Sequence, residues 1–398
     1  MPSPLEGLKV LDASRVLAGP FCGQLLGDLG ADVMKLERPG QGDDTRQWGP
    51  PFHDHLMSAY YLSANRRKRS FALDLGKPEG LALFHDLIGH CDVLIENFRT
   101  DSAERMGLAP KALLDRHPRL IACSITGFGQ TGPMAAEPGY DLAIQAMSGL
   151  MSMTGPAEGP PCKVGVAMAD ILTGMYAAVG ILACLRAREQ SGHGYAIDLA
   201  LLDCAIAAQV NLAQAYLLTG IVPPRPGNAH HQIVPYAVFA AADGWLVLNV
   251  DNDSQWQHFC SAAGIADLAN DSRFATNPLR VQHRDTLTSI LNDLIRTRTV
   301  ADWCGLLEKA RVPHSPVSDY ASVFTHEQVL SRGMKVTVTD PKGRPVDLIG
   351  TPFHVTGADL PAPTMPPGLG QQTEEVLREF LGFGTEKLAE LRGRGVVA

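Results

Sequence analysis

Short strand-like runs alternate with helical segments along the first third of the chain, and this alternation constrains the fold more than any other feature. Leu8 to Asp12 reads as a strand. Ala18, Gly19 and Pro20 form a turn, Phe21 to Leu29 carries apolar residues at helical spacing, and Asp32 to Glu37 is the next strand. Pro20 suits a first helical position and Gly30 a C-terminal cap. The pattern continues with a strand over Ser70 to Leu75, a helix over Pro78 to Ile88 and a strand over Val93 to Ile95. Helices over Thr100 to Met106 and Pro110 to Asp115 then lead to a strand over Leu120 to Ile125. Strands separated by helices pair in parallel, with helices covering both sheet faces. The fold class is therefore α/β, a Rossmann-like parallel-sheet large domain with a smaller α+β domain. Ligands on such sheets bind beyond the strands' carboxyl ends.

The rest of the chain sets the domain limits. Helical segments over Ile171 to Arg188 and Leu201 to Leu218 close the first region, and the Pro- and Gly-rich stretch Gly220 to Gly227 is a boundary. Beyond it, Val234 to Ala241 and Trp245 to Val250 flank Ala242-Asp243-Gly244, a hairpin pattern. Helices follow over Ser254 to Ala263, Pro278 to Arg296 and Val300 to Ala310. The expected organisation is a large α/β domain over 1–219 and a small α+β domain over 220–330. Residues 331–398 form a return connector with C-terminal helices packing on the large domain.

Composition narrows the function classes. The 398 residues hold 34 Lys+Arg against 42 Asp+Glu, a net charge of -8, which disfavours a nucleic-acid partner. The 19% charged fraction is below the ordinary ~25% and suggests surface buried between subunits. Met1 to Gly7 lacks the pattern of a signal peptide, and the eight cysteines, with no C-x-x-C, suit a reducing cytoplasm. The nearly apolar run Ile171 to Leu185 is shorter than the roughly 20 residues of a membrane span, so no membrane association is expected. The fingerprint G-x-G-x-x-G is absent after the first strand, where only Gly19 and Gly23 stand, which disfavours a nicotinamide enzyme.

Several side chains could carry chemistry. Arg66-Arg67-Lys68-Arg69 is either a solvated turn or a clamp for phosphates, and Arg38 follows the second strand, within reach of a ligand. Gly127-Phe128-Gly129-Gln130-Thr131-Gly132 follows a strand and could aim backbone N–H groups at a ligand, or could be a flexible loop. Asp170 stands between Val164–Ala169 and the apolar helix from Ile171. It reads as an N-cap whose helix N–H groups keep it ionised, or as a desolvated nucleophile. His53, Asp54 and His55 share one loop, and His230-His231 follows the Pro-rich break. Both read as loop rather than as metal ligands, and no metal is expected.

Taken together, these motifs resemble a known family, the class III (CaiB/BaiF-type) coenzyme A transferases. The likeness is carried in chain order by Asp12 to Pro20, Gly27 to Arg38, Asn65 to Ser70, Glu96-Asn97-Phe98, Gly127 to Pro133, Gly139-Tyr140-Asp141 and the Asp170 segment. It implies an interlocked homodimer and a CoA-binding large domain, with acyl-CoA and a carboxylic acid as substrates and no tightly bound cofactor. It makes Asp170 the nucleophile. It also places Val16, Leu17, Ala18, Arg38, Leu73, Asn97, Phe98 and Arg105 at the CoA site. The Gly127 to Gly132 loop is the candidate for oxyanion N–H groups, with Gly127 and Gly129 foremost, and Tyr140 for a hydroxyl on a substrate carboxylate or oxyanion.

The resemblance also separates branches. Pro138 stands where formyl-CoA transferase has a lysine, and Asn249 to Gln255 stands where it has a glycine-rich loop. Tyr140 stands where the racemase branch has a histidine, and tyrosine is a poor base at neutral pH. Gly49 to Phe52, Ser124 to Gly127, Gly165 to Met168 and Ile233 to Tyr236 look most like the succinyl-CoA:dicarboxylate (glutarate-type) branch. The implied activity is transfer of CoA from succinyl-CoA to a dicarboxylate, through an aspartyl mixed anhydride and an aspartyl-CoA thioester. A 2-methylacyl-CoA racemase or epimerase and a non-catalytic CoA-binding protein remain the alternatives at this point.

Overall fold

The alternation builds one six-stranded sheet. In the computed structural model, which describes residues 1–398, its strands are β1 (Lys9–Asp12), β2 (Asp32–Glu37), β3 (Lys68–Ala72), β4 (Val93–Glu96), β5 (Ile121–Thr126) and β6 (Tyr195–Ala200). They lie in the order β3-β2-β1-β4-β5-β6 and every pairing is parallel. This is the strand order of doubly wound nucleotide-binding folds, whose ligand crevice opens where the order reverses, between β1 and β4. Period-two alternation divides each strand between two cores. Leu11, Met34 and Leu94 pack with helix α2 (Pro78–Ile88) and the C-terminal helix Thr373–Leu381. Val10, Val33 and Val93 pack with helices α1 (Ala18–Asp28) and α4 (Met168–Ser191) on the other face.

Two compact units are present. The first spans Met1–Leu150, Val164–Thr219 and Glu327–Ala398, and holds the six-stranded sheet. The second spans Met151–Lys163 and Gly220–His326. Its antiparallel strands Tyr236–Ala240, Trp245–Asn249 and His314–Pro316 pack with helices Asp253–Ala263, Arg284–Ile295 and Val300–Lys309 around Trp256, Phe259, Leu291 and Trp303.

Several elements differ from the sequence reading. Strand β6 was not expected; it alternates half-buried and exposed residues at the edge of the sheet, so its apolar signal is weak. The helix from Leu201 breaks into Leu201–Ala207 and Val210–Thr219, bent by 80°. The loop at His53 is half of a short antiparallel pair, Phe52–Asp54 with Met57–Ser58. Helix α4 is longer than the apolar run inside it. By length and composition it could cross a membrane, with a mean hydropathy of 1.8 over its best window. Here one face of it is a core face. Ala169, Thr173, Gly174, Ala177, Ala178 and Ile181 are buried, and a Cβ on Gly174 would lie 2.6 Å from the Ala18 carbonyl oxygen. Glycine at 174 is what lets α4 cross α1 this closely.

Candidate active site

Beyond the carboxyl ends of β1 to β4, four of the expected residues gather. A cavity of about 370 Å³ is lined there by Arg15, Arg38, Leu73, Phe98, Arg105 and Met106 among others. That volume is within the range of small-molecule sites. Its cations are held loosely. Asp44 accepts from Arg38 at 3.0 Å and from Arg15 at 3.2 Å, and Asp101 accepts from Arg105 at 3.1 Å. All five side chains are well exposed, and such pairs contribute only ~0–1 kcal/mol each. An incoming phosphate can therefore displace the carboxylates.

The other expected CoA-site residues form the turn beside this cavity. Val16 and Leu17 connect β1 to α1, and Ala18 is the first residue of the helix. Asn97 serves the backbone. Its Oδ1 accepts from Arg15 N–H at 2.9 Å and its Nδ2 donates to the Arg15 carbonyl at 2.8 Å. Glu96, buried beneath, accepts from Phe98 N–H at 2.8 Å, and burial pushes its carboxyl up to about 7.

Asp170 is the third residue of α4, not its cap. The N-cap is Ala167, and the N–H of Ala169 donates instead to Asp141 at 2.8 Å. Asp141 begins helix α3 (Asp141–Met147) and also accepts from Gln145 Nε2 at 2.7 Å; Gln145 Oε1 in turn accepts from Val164 N–H at 2.9 Å. This pair on α3 fixes the segment leading to Asp170, while the Asp170 carboxylate itself has no hydrogen-bond partner in the chain. The expectation that helix N–H groups keep it ionised is corrected. Burial, and then the neighbouring Asp141 charge, push its carboxyl up to about 7. Such a displacement disfavours the ionised form by about 4 kcal/mol, which exceeds the ~0.3–2 kcal/mol a helix N-terminus supplies.

Tyr60, near Asp170, and Trp48, which packs on it, were missed by sequence reasoning. Tyr60 is half-buried, and its hydroxyl is pushed up to about 12 by burial, then by Asp170 and Asp141. Trp48 meets Tyr60 edge-on, with ring centroids 5.2 Å apart. The signal was present in the Gln47-Trp48-Gly49-Pro50 run just ahead of the quoted Gly49 to Phe52 motif. Tyr140 stands before α3 and is 72% exposed.

One further expectation is corrected. The basic cluster is neither a solvated turn nor a phosphate clamp. Strand β3 begins inside it, and Arg66 pairs with Asp28, Lys68 with Asp12, and Arg69 with Asp32, Glu375 and Glu379. In the glycine loop, Gly129 N–H donates to Thr126 Oγ1 at 2.9 Å and Gln130 N–H to Asp198 at 3.0 Å. At Gly127 a Cβ would meet Gly139 Cα at 2.4 Å, so that glycine serves close packing. In the His53 loop, His53 bonds to Asp340, and Asp54 pairs with Lys342 and Arg344.

Comparison with known proteins decides the family. The family model of CoA-transferase family III matches residues 5–373. The chain belongs to CoA-transferase family III. Within the family it is 44% identical to a succinate–glutarate CoA-transferase of Agrobacterium fabrum, covering 95% of this chain and 96% of that one. It is 40% identical to the human succinyl-CoA:glutarate CoA-transferase, covering 99% and 90%. The crystal structure of a CaiB/BaiF family protein from Brucella suis superposes with a TM-score of 0.86 at 42% identity, covering 96% of this chain and all of that one.

The Asp141 neighbour gives a pH-dependent expectation for a family III enzyme that needs Asp170 ionised. The kcat/KM for acyl-CoA should rise with pH through a limb near 7, because protonation removes the nucleophile. Asp141→Asn keeps the acceptor for Ala169 N–H but removes the like charge, so the limb should move to lower pH. A pH profile on the variant whose acid limb stays in place would remove Asp141 from the electrostatics of the site.

Proposed function

We propose that this family III enzyme moves CoA from succinyl-CoA to a free dicarboxylic acid, with Asp170 as its covalent nucleophile. The observation that carries the reading is a desolvated carboxylate without a hydrogen-bond partner, in the unit whose sheet crevice presents Arg15, Arg38 and Arg105. The relatives named above support the choice of substrates.

The reaction runs in four balanced steps. The Asp170 carboxylate attacks the thioester carbonyl of succinyl-CoA, the C–S bond breaks, and CoA thiolate leaves a mixed anhydride. The thiolate then attacks the Asp170 carbonyl and expels succinate, which carries away one oxygen of Asp170. The acceptor carboxylate attacks the resulting Asp170–CoA thioester and again releases thiolate. Thiolate attack on the acceptor carbonyl finally gives the new acyl-CoA and restores the Asp170 carboxylate with one acceptor oxygen. The anhydride is prone to hydrolysis, so the partial burial of Asp170 serves the chemistry by limiting the access of water. Tyr140, exposed just before α3, offers its hydroxyl to a substrate carboxylate in this reading. Arg15, Arg38 and Arg105 hold the CoA phosphates, and Leu73 and Phe98 flank its apolar portions.

The enzyme also pairs with a second copy of itself. Helix Val210–Thr219 is largely apolar yet buries none of its residues, and Leu217 and Leu218 are at least three-quarters exposed. A helix apolar all round is ordinarily covered. Light scattering should give twice the monomer mass, and a monomer would refute the pairing. The substrate reading is tested by incubating succinyl-CoA with dicarboxylic acids of graded length and following the acyl-CoA products by mass spectrometry. Transfer to one of them is expected; hydrolysis alone would overturn the reading.

A further inference from the structure

The turn from β1 into α1 is held by buried charges that the chemistry above leaves unused. Val16 has φ +72°, a left-handed conformation that a β-branched residue adopts only under strain. The turn is fixed by side chains to an unusual degree. Ser14 N–H donates to Asp12, Arg15 N–H to Asn97, and Val16 N–H to both oxygens of Asp43 at 3.3 Å. The Ser14 carbonyl accepts from Lys35 Nζ at 3.1 Å. Lys35 and Asp43 form an ion pair at 2.9 Å, with both side chains fully buried. Asp43 also accepts from Thr45 N–H and Thr45 Oγ1, so it has one fixed position. Next to it, Asp44 bonds to Arg15 and Arg38 at the rim of the cavity.

A buried ion pair is weak evidence for stability, because its desolvation cost offsets its attraction. This pair touches the one strained residue of the turn. We infer that Lys35 and Asp43 are positioning residues for acyl-CoA. They hold Val16 in its left-handed turn, so that Arg15 and the start of α1 face the cavity beside them. The inference rests on the reading of that cavity as the acyl-CoA site.

The test is a double-mutant cycle on Asp43 and Val16, read as kinetics of the full-length enzyme. Asp43→Ala should raise the KM for succinyl-CoA at least tenfold, with kcat and the KM for the acceptor acid changing less than threefold. The charge-free Lys35→Met/Asp43→Val variant leaves no buried charge unpaired and should show the same split, should Asp43→Ala fail to fold. Glycine adopts φ +72° without strain. Whatever Val16→Gly changes alone, removing the Asp43 carboxylate in that background should therefore alter the succinyl-CoA KM less than threefold. A tenfold effect that persists in the glycine background, or a folded variant with unchanged succinyl-CoA KM, overturns the inference. Arg38→Ala separates the two layers. If it too leaves the succinyl-CoA KM unchanged, the cavity reading falls; if it raises that KM while the Asp43 variants do not, only the positioning role falls.

Discussion

Asp170→Ala is expected to lower CoA transfer by roughly 10³–10⁶-fold, the range seen when a covalent nucleophile is removed. The chain should still fold. No hydrogen bond to the chain is lost, and the cap of α4 comes from Asp141 rather than from Asp170. Stability should move in the opposite direction from activity. The folded carboxyl titrates at about 7, above its ordinary value of 3.8, so its protonated form favours folding. That contribution is present at low pH and lost as pH rises through 7. The isosteric Asp170→Asn should consequently melt higher than the native chain at pH 8, and the difference should shrink toward pH 5. Transfer within tenfold of the native rate would remove Asp170 from the mechanism. A variant that melts lower at pH 8 would contradict the electrostatic account.

Arg46→Met should destabilise the first unit by ~3–5 kcal/mol, the usual effect of leaving one partner of a buried ion pair alone. Arg46 is fully buried and meets Glu37 with two hydrogen bonds of 2.7 Å. It also donates to the Tyr61 hydroxyl at 2.6 Å and to the carbonyls of Leu56 and Pro367 at 3.1 Å. These contacts tie β2 to the 3₁₀ turn Asp44–Gln47, which carries Arg46, to the loop at Leu56 and to the C-terminal connector. Methionine fills most of the volume but leaves the buried Glu37 carboxylate with only Asp43 N–H and the Ser70 hydroxyl as donors. Adding Glu37→Gln should restore part of the loss, because the amide carries no charge to strand. Chemical denaturation followed by circular dichroism measures both. A loss below ~1 kcal/mol for Arg46→Met would show that the Asp43 and Ser70 donors, with water, suffice for Glu37.

Much of the sheet was legible because each central strand is apolar on both faces and each crossover carries a helix. β1, β2, β4 and β5 lie within a residue or so of the expected runs. The misses share a physical cause: contacts distant in sequence. β6 sits at the sheet edge, where Tyr195, Ile197 and Leu199 are only partly buried, so no apolar run announces it. Arg66, Lys68 and Arg69 look like surface charge until Asp12, Asp28, Asp32 and the C-terminal helix are folded around them. Asp170 looks like an N-cap because the residue that serves α4, Asp141, lies 28 positions before Ala169, whose N–H it accepts. The resemblance quoted from the sequence led to the family, whereas the raised carboxyl of Asp170, Tyr60 beside it, and the strained turn at Val16 required the structure.

The central claim, covalent transfer through Asp170, is tested most directly by following oxygen. The enzyme is turned over in ordinary water with succinyl-CoA and a dicarboxylic acid labelled with oxygen-18 in its carboxylates. One acceptor oxygen must pass to Asp170 when the new acyl-CoA forms, and leave in the succinate of a later cycle. Mass spectrometry should therefore find the label in the peptide containing Asp170 and then in succinate. Transfer that proceeds with an unlabelled Asp170 peptide and unlabelled succinate would contradict the account.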